Sequence, residues 1–472
     1  MEAGLPSWDA LLDRLLLRGG KAAGLIEASA NGDTDDDTRR TWLSQAGRDG
    51  PLGKAALAEA LSGDERDEWI KAELFAPSVG PESFFPGPIS RQIPALGDVF
   101  GDDLGVMTLN YDDLLEQAIR QHGGQPFALT TDDHRAPPGH TEVVHLHGYL
   151  GRDDRPMGQL ILSEADYMQM QRGESWQEAA VKNALMGSTL VFVGTSMLDP
   201  NVVRYLHGVE PPKEDEPARF ALFVRQGTYE KTVVADIRMA RENALARRWE
   251  ALGVRAIFLD HYTDVAQVLS EIARKRKLGD DYVSLGERAQ KWITTVERDV
   301  LGWDDDTRFF GSQEGINGLL RGALVKACGE VESMIGHSWD ETLQLALWLV
   351  SPEGGTLTNW VMTDRLHLDR RTIEPVPVDE YARWVAVRSY CLGTPLAESR
   401  DIYASRWKFV RGTPLVVDSD MHGRIPVGCL TTASMSPRSS TLLARMPGDV
   451  LAAFNDALTD TVLTLLDQPF QS

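Results

Sequence analysis

Short apolar, β-branched runs alternate with amphipathic stretches over the first half of the chain. Val106 to Leu109, Val143 to Leu146, Leu190 to Val193, Phe220 to Val224 and Val254 to Leu259 have the length and composition of buried strands. Most of them lead into helical patterns such as DDLLEQAIRQHGG. Strand and helix alternating at this rhythm predict an α/β fold, a parallel sheet with helices on both faces. Ligands of such sheets bind beyond the carboxyl ends of the strands, so the polar residues after each run are the candidates for chemistry. Between Lys54 and Leu74 the pattern is helical, and Pro77 to Pro94, rich in proline and glycine, reads as a loop. Together these predict a helical insert packed over the sheet.

A last helix of this part, Asp264 to Lys275, leads into a second amphipathic stretch with Tyr282, Leu285, Ala289, Trp292, Ile293 and Val296 on one side, which reads as a connector. From about Gly311 the rhythm becomes helix, strand, hairpin, loop, hairpin, helix. LQLALWL puts Leu343, Leu345, Leu347 and Leu349 on one strand face, SPEGG turns the chain, and TLTNWVMTD returns it. TPLVV, DSDMHG and RIPVGCLTTAS form a later hairpin, and Val450, Phe454, Leu458, Val462 and Leu465 mark a closing helix. The expected organisation is a first domain over 1–276, a connecting helix over 277–310 and an α+β domain over 311–472.

Composition narrows what these domains do. A chain of 472 residues with 42% hydrophobic and 25% charged residues is an ordinary globular protein of more than one domain. Seventy acidic against 48 basic residues, a net charge of -22, disfavour direct contact with nucleic acid. The three cysteines, Cys328, Cys391 and Cys429, lie in the C-terminal half without C-x-x-C spacing, which argues against a disulfide framework and a cysteine-built zinc site. No run approaches a membrane span, and MEAGLPSWDALLDRLLLRGG lacks the basic start of a secretion signal. The expectation is a cytoplasmic protein without membrane partners.

The candidate chemistry lies at three strand ends. VMTLNYDDLLEQAI puts Asn110 and Asp112 where a strand gives way to a helix; the amide suits a ribose hydroxyl, a carboxamide or a water, and both residues serve equally as helix caps. VVHLHGYLG puts His145 and His147 on one side of a strand, where an imidazole can act as general base, hold a metal with His134, His140 or a carboxylate, or simply make a structural hydrogen bond. STLVFVGTSMLDPNVVRYL offers Gly194 and Ser196 to a nucleotide, while Asp199 before Pro200 suits a helix cap.

GLPSWDALLDRL, TLNYDDLLE, VVHLHGYLG, LILSEADYM and STLVFVGTSMLDPNVV, in this order and spacing over residues 3 to 260, resemble the bacterial sirtuin-like domains of antiphage defence systems. The resemblance implies a Rossmann-like sheet and an NAD-cleaving activity. It implies that Asn110 and His147 are catalytic and that Gly194 and Ser196 bind the nucleotide, with NAD as substrate and no metal; Asp112 and Asp199, at the same strand ends, are the further cofactor-binding candidates. Two features depart from the family. His145 stands where the family commonly has lysine, and the strand and G-A-G-x-S turn that precede G-L-P-S-W are absent, so the sheet is expected to lack its first strand and the start to be placed too far downstream. No G-x-G-x-x-G replaces that turn, and GGKAAG at 19–24 has the wrong order for a P-loop.

The family's deacetylating members carry a four-cysteine zinc module that the first domain here lacks, and the fingerprint of hydride-transferring enzymes is missing. The reaction expected is cleavage of the nicotinamide–ribose bond. SYCLGTPLAES and PLVVDSDMHGRIPVGCLTTAS resemble a GAF domain, which implies a sensor or dimerisation module, a homo-oligomer, and a small-molecule or phage-derived activator that gates the first domain. Two other readings stay open: a nucleotide-binding regulatory module without turnover, and a metal-dependent hydrolase using His145 and His147.

Overall fold

The structure is a computed structural model, and it describes residues 5–26, 36–48, 50–76, 86–132, 135–152, 157–170, 175–195, 197, 199–225, 228, 234–365, 368–400, 405–419 and 423–470. Two compact units divide the chain, Met1–Lys277 and Leu278–Ser472. No described helix is long and apolar enough to cross a membrane.

In the first unit the helix Trp8–Ala22 starts on Ser7, whose Oγ accepts the Ala10 amide at 3.1 Å. Leu11, Leu12, Leu15 and Leu16 recur at helical spacing and are fully buried. They pack with Ala55, Ala58, Trp69 and Ile70 of the following helices and with Tyr111, Leu150, Leu160 and Leu162 from the strand region. The helical insert is therefore fastened directly over the ends of the strands. The loop expected over Pro77 to Pro94 stops sooner than its composition suggests. Pro94 lies in the first turn of the helix Gln92–Phe100, where its missing N–H is no loss; residues 77–85 lie outside the described part.

Six strands follow: β1 Val106–Thr108, β2 Gln125–Leu129, β3 His140–His145, β4 Leu190–Phe192, β5 Arg219–Val224 and β6 Val254–Leu259. All pairings are parallel, but they make two sheets of three, ordered β1-β3-β2 and β4-β5-β6, where the sequence predicts one. Among the described residues, β1, β2, β4 and β6 each keep one edge without a strand partner. The sheets nevertheless share a core, in which Val144 and Leu146 meet Ala221, Val254 and Trp249. β4, an outer strand of its sheet, is half-buried at all three residues.

The second unit holds one antiparallel sheet of β7 Leu343–Val350, β8 Thr356–Met362, β9 Val376–Pro377, β10 Leu396–Ser399, β11 Phe409–Ser419 and β12 Gly423–Ser434, in the order β10-β11-β12-β7-β8-β9. The helix Leu285–Asp299, read from the sequence as a connector, is part of this unit's core. Its Trp292, Ile293 and Val296 pack with Phe309 and Ile316 of the long helix Asp306–Ile335 and with Val450, Phe454 and Leu458 of the helix Gly448–Asp467. The Leu343 to Leu349 strand is buried on both faces because helices cover both. Gly428 in β12 is required by close approach: a Cβ there would sit 2.0 Å from the Trp348 carbonyl oxygen of β7. Cys391 and Cys429 are buried, and burial pushes the Cys429 thiol up to about 12, as for a core residue.

Candidate active site

The parallel register of β1 and β3 pairs Thr108 with His145. Asn110 and His147, each two residues further on, therefore leave the same end of neighbouring strands. Beyond β1 the chain makes a turn held by side chains. Thr108 Oγ1 accepts the Asn110 amide at 3.0 Å, and Asp112 Oδ1 accepts the Leu114 amide at 3.2 Å. The second contact is an Asx turn immediately before the helix Leu114–Gln121, whose N-cap is Asp113. The Asn110 side chain is exposed, whereas Tyr111 and Asp112 are buried. Burial pushes the Asp112 carboxyl up to about 6, against the pull of the Leu114 amide and of His145.

Beyond β3 the chain turns at Gly148, whose φ of +87° only glycine adopts readily. A Cβ there would lie 2.7 Å from the Gln159 carbonyl oxygen. The two turns are tied together through Ile161: its carbonyl accepts the Tyr111 hydroxyl, and its amide donates to the His147 carbonyl at 3.1 Å. Leu150 adds a third tie by donating its amide to the Tyr111 carbonyl at 2.7 Å.

His147 and His145 do not work as a pair, although the strand alternation puts them on one side. The His147 imidazole is buried, with Nε2 at 3.7 Å from Asp199 Oδ2 and the Tyr167 ring edge-on at 5.7 Å. Burial holds this imidazole below the ordinary histidine range, opposed by the nearby Asp199 carboxylate. The Tyr167 hydroxyl donates to the same Asp199 Oδ2 at 2.7 Å. Asp199 Oδ1 accepts the Asn201 and Val202 amides at 2.9 and 3.1 Å and so caps the helix Pro200–His207. Both Asp199 oxygens are thus engaged by protein, which suits a residue that orients His147 better than one that contacts a ligand.

His145 is fully buried and turns to other partners. Its Nδ1 lies 3.1 Å from the Asn110 carbonyl oxygen and its Nε2 2.7 Å from Glu116 Oε1. Both ring nitrogens of His145 face protein partners, so the His145/His147 metal reading requires His145 to leave both; His134, another candidate ligand, lies outside the described residues. No group of three His, Cys, Asp or Glu side chains that could hold a metal ion occurs among the described residues.

Gly194, after β4, is exposed at φ +66° with open space around its Cα. Ser196 lies outside the described residues. Met197, fully buried at φ +55°, is the only non-glycine residue at positive φ among those described, so the backbone at Met197 is strained. Tyr167 and Glu116 escape sequence reasoning: a tyrosine inside LILSEADYM and a glutamate inside a helix look like ordinary packing and surface. Glu116 had one available signal, since it lies four residues after Asp112 and three before Ile119 on the inward stripe of its helix.

The polar side chains at the carboxyl ends of these paired parallel strands lie where ligands of parallel α/β sheets bind. Residues 105–257, which include Asn110, His147, Gly194 and Asp199, match the family described as the SIR2-like domain. The matched segment is similar to the SIR2-like domain, a class consistent with NAD-related chemistry. No curated protein matches the chain.

Proposed function

We propose that the first unit hydrolyses NAD to nicotinamide and ADP-ribose, an NAD glycohydrolase activity. The observation that carries this reading is that Asn110 and His147 leave the same end of one parallel strand pair within the SIR2-like segment. In the proposed reaction the bond between nicotinamide and ribose breaks, nicotinamide leaves with the bonding electrons, and water adds to the oxocarbenium-like carbon. Asn110, a neutral amide on an exposed turn, orients the ribose or the attacking water. His147 takes the proton that water releases, because its burial keeps the imidazole unprotonated near neutral pH. Asp199, 3.7 Å away and steadied by Tyr167, stabilises the imidazolium that forms. Gly194, Ser196 and Asp112 are assigned to the nucleotide.

The same reading makes the protein an effector of antiphage defence that depletes NAD in the cytoplasm. The C-terminal α+β unit is then a GAF-like module that assembles copies of the chain and, in response to a small-molecule or phage-derived activator, raises a basal turnover that the purified chain already shows. The test is NAD consumption by the purified full chain, compared with Asn110→Ala and His147→Ala. Both variants are expected to keep binding NAD and to lose turnover. Consumption by either at the parental rate removes the site assignment, and a thermal shift with NAD without products supports a regulatory module in its place.

A further inference from the structure

Asn110 poses a positioning problem. Its side chain is exposed and makes no side-chain hydrogen bond among the described residues, so no described side-chain contact aims the amide. Among the described residues its direction comes from the main chain, and there the structure is specific. The Asn110 N–H is held by Thr108 Oγ1 at 3.0 Å, and its carbonyl faces His145 Nδ1 at 3.1 Å. Both backbone groups of this one residue, just past the last pairing of β1, are held by side chains in place of a ladder.

We propose that His145 and Glu116 form a buried clamp on the Asn110 peptide and are positioning residues for the reaction assigned to Asn110. A carbonyl can only accept, so His145 Nδ1 must carry a hydrogen. The contact of 2.7 Å between His145 Nε2 and Glu116 Oε1 then needs a proton of its own. Either the imidazole is doubly protonated against a carboxylate, or a neutral imidazole accepts from a protonated Glu116. Both arrangements keep Nδ1–H aimed at Asn110, so Glu116 fixes the tautomer that makes the clamp. The Tyr149 ring, edge-on to His145 at 4.8 Å, holds the imidazole plane.

Stability does not explain the pair. Both side chains are sealed from solvent, and Glu116 Oε2 is buried without a partner among the described residues. A buried ionisable pair is often no better for stability than apolar side chains of the same volume. What the pair supplies that leucines could not is a donor of fixed direction at the Asn110 carbonyl. The inference rests on the NAD-hydrolase reading only for the identity of the reaction.

The test uses the full chain. His145→Leu/Glu116→Leu removes both buried groups together and leaves no orphaned charge, so it is expected to fold with a parental melting temperature. Its kcat on NAD should fall by about tenfold or more, with KM changed by less than about threefold, as expected when a reacting group is misaimed. Hydrogen exchange over residues 109–114 should quicken while exchange in β5 and β6 is unchanged. Glu116→Gln is the rescue variant: its amide can donate to His145 Nε2, keep Nδ1–H on Asn110 and restore kcat to within about threefold of the parent. Parental kcat and parental exchange in the double variant would overturn the clamp, as would a loss in Glu116→Gln equal to that of the double variant. If the parent itself leaves NAD intact, the function fails and exchange over 109–114 judges the clamp alone. If the double variant does not fold, nitrogen NMR of histidine-labelled parent decides, with Glu116→Gln assigning the His145 signal. A protonated Nδ1 supports the proposal and an unprotonated one overturns it.

Discussion

Replacing Asp112 by asparagine tests the electrostatics of the site without touching either proposed catalytic side chain. Asp112 is buried beside Asp113, Glu116 and His145, and its carboxyl is pushed up from 3.8 to about 6. A carboxyl with a raised folded-state pKa contributes stability that is complete below its unfolded value and is lost as pH rises through the folded one. A shift of about two units corresponds to ~3 kcal/mol, lost between about pH 4 and pH 7. Asparagine keeps the oxygen that accepts the Leu114 amide and cannot ionise. Relative to the parent, Asp112→Asn should therefore gain stability with rising pH, roughly 1.5 kcal/mol of the total between pH 5 and pH 7.5. Urea unfolding read by pulse proteolysis and peptide mapping of residues 106–122 isolates the first unit from the second, since a chain of two units need not unfold in one step. A difference between variant and parent that stays constant across this range would refute the reasoning, because it would mean that Asp112 ionises in the fold as freely as in the unfolded chain.

Other perturbations follow from the same geometry. Tyr167→Phe removes the donor to Asp199 Oδ2 and should cost ~1–2 kcal/mol of stability in urea titration, with a fall in kcat larger than any change in KM. Asp199→Asn removes the charge that opposes the lowering of the His147 pKa, so the acid limb of the kcat/KM profile should move to lower pH while the plateau falls; an unmoved limb would separate His147 from Asp199. Gly148→Ala forces φ +87° on a residue with a side chain and drives its Cβ against Gln159, so a loss of ~2 kcal/mol or more is expected by thermal melting, together with loss of turnover.

The sequence is a good guide to some of these elements and a poor one to others, for physical reasons. β3, β5 and β6 are legible because apolar residues crowd into short runs, aliphatic in β3 and aromatic and aliphatic in β5 and β6. β2 is not, because QPFAL mixes a proline and a polar residue into an outer strand that is buried only at Leu129. Splitting of the strands into two sheets depends on which edges meet, and no local pattern encodes that. The helix Leu285–Asp299 shows its apolar face plainly, but a face does not say which unit it will join. At the site, Asn110 and His147 are legible as polar residues at strand ends. The partners that give them direction are not: Glu116 and Tyr167 come from helices, and only the register of β1 with β3 and the packing of those helices bring them into reach.

Incubating the purified full chain with NAD in water enriched in oxygen-18 and separating the products tests the central claim most directly. Nicotinamide and ADP-ribose should appear in equal amounts, with the heavy oxygen on the ribose carbon that nicotinamide leaves. NAD recovered unbroken from protein that binds it would contradict the account.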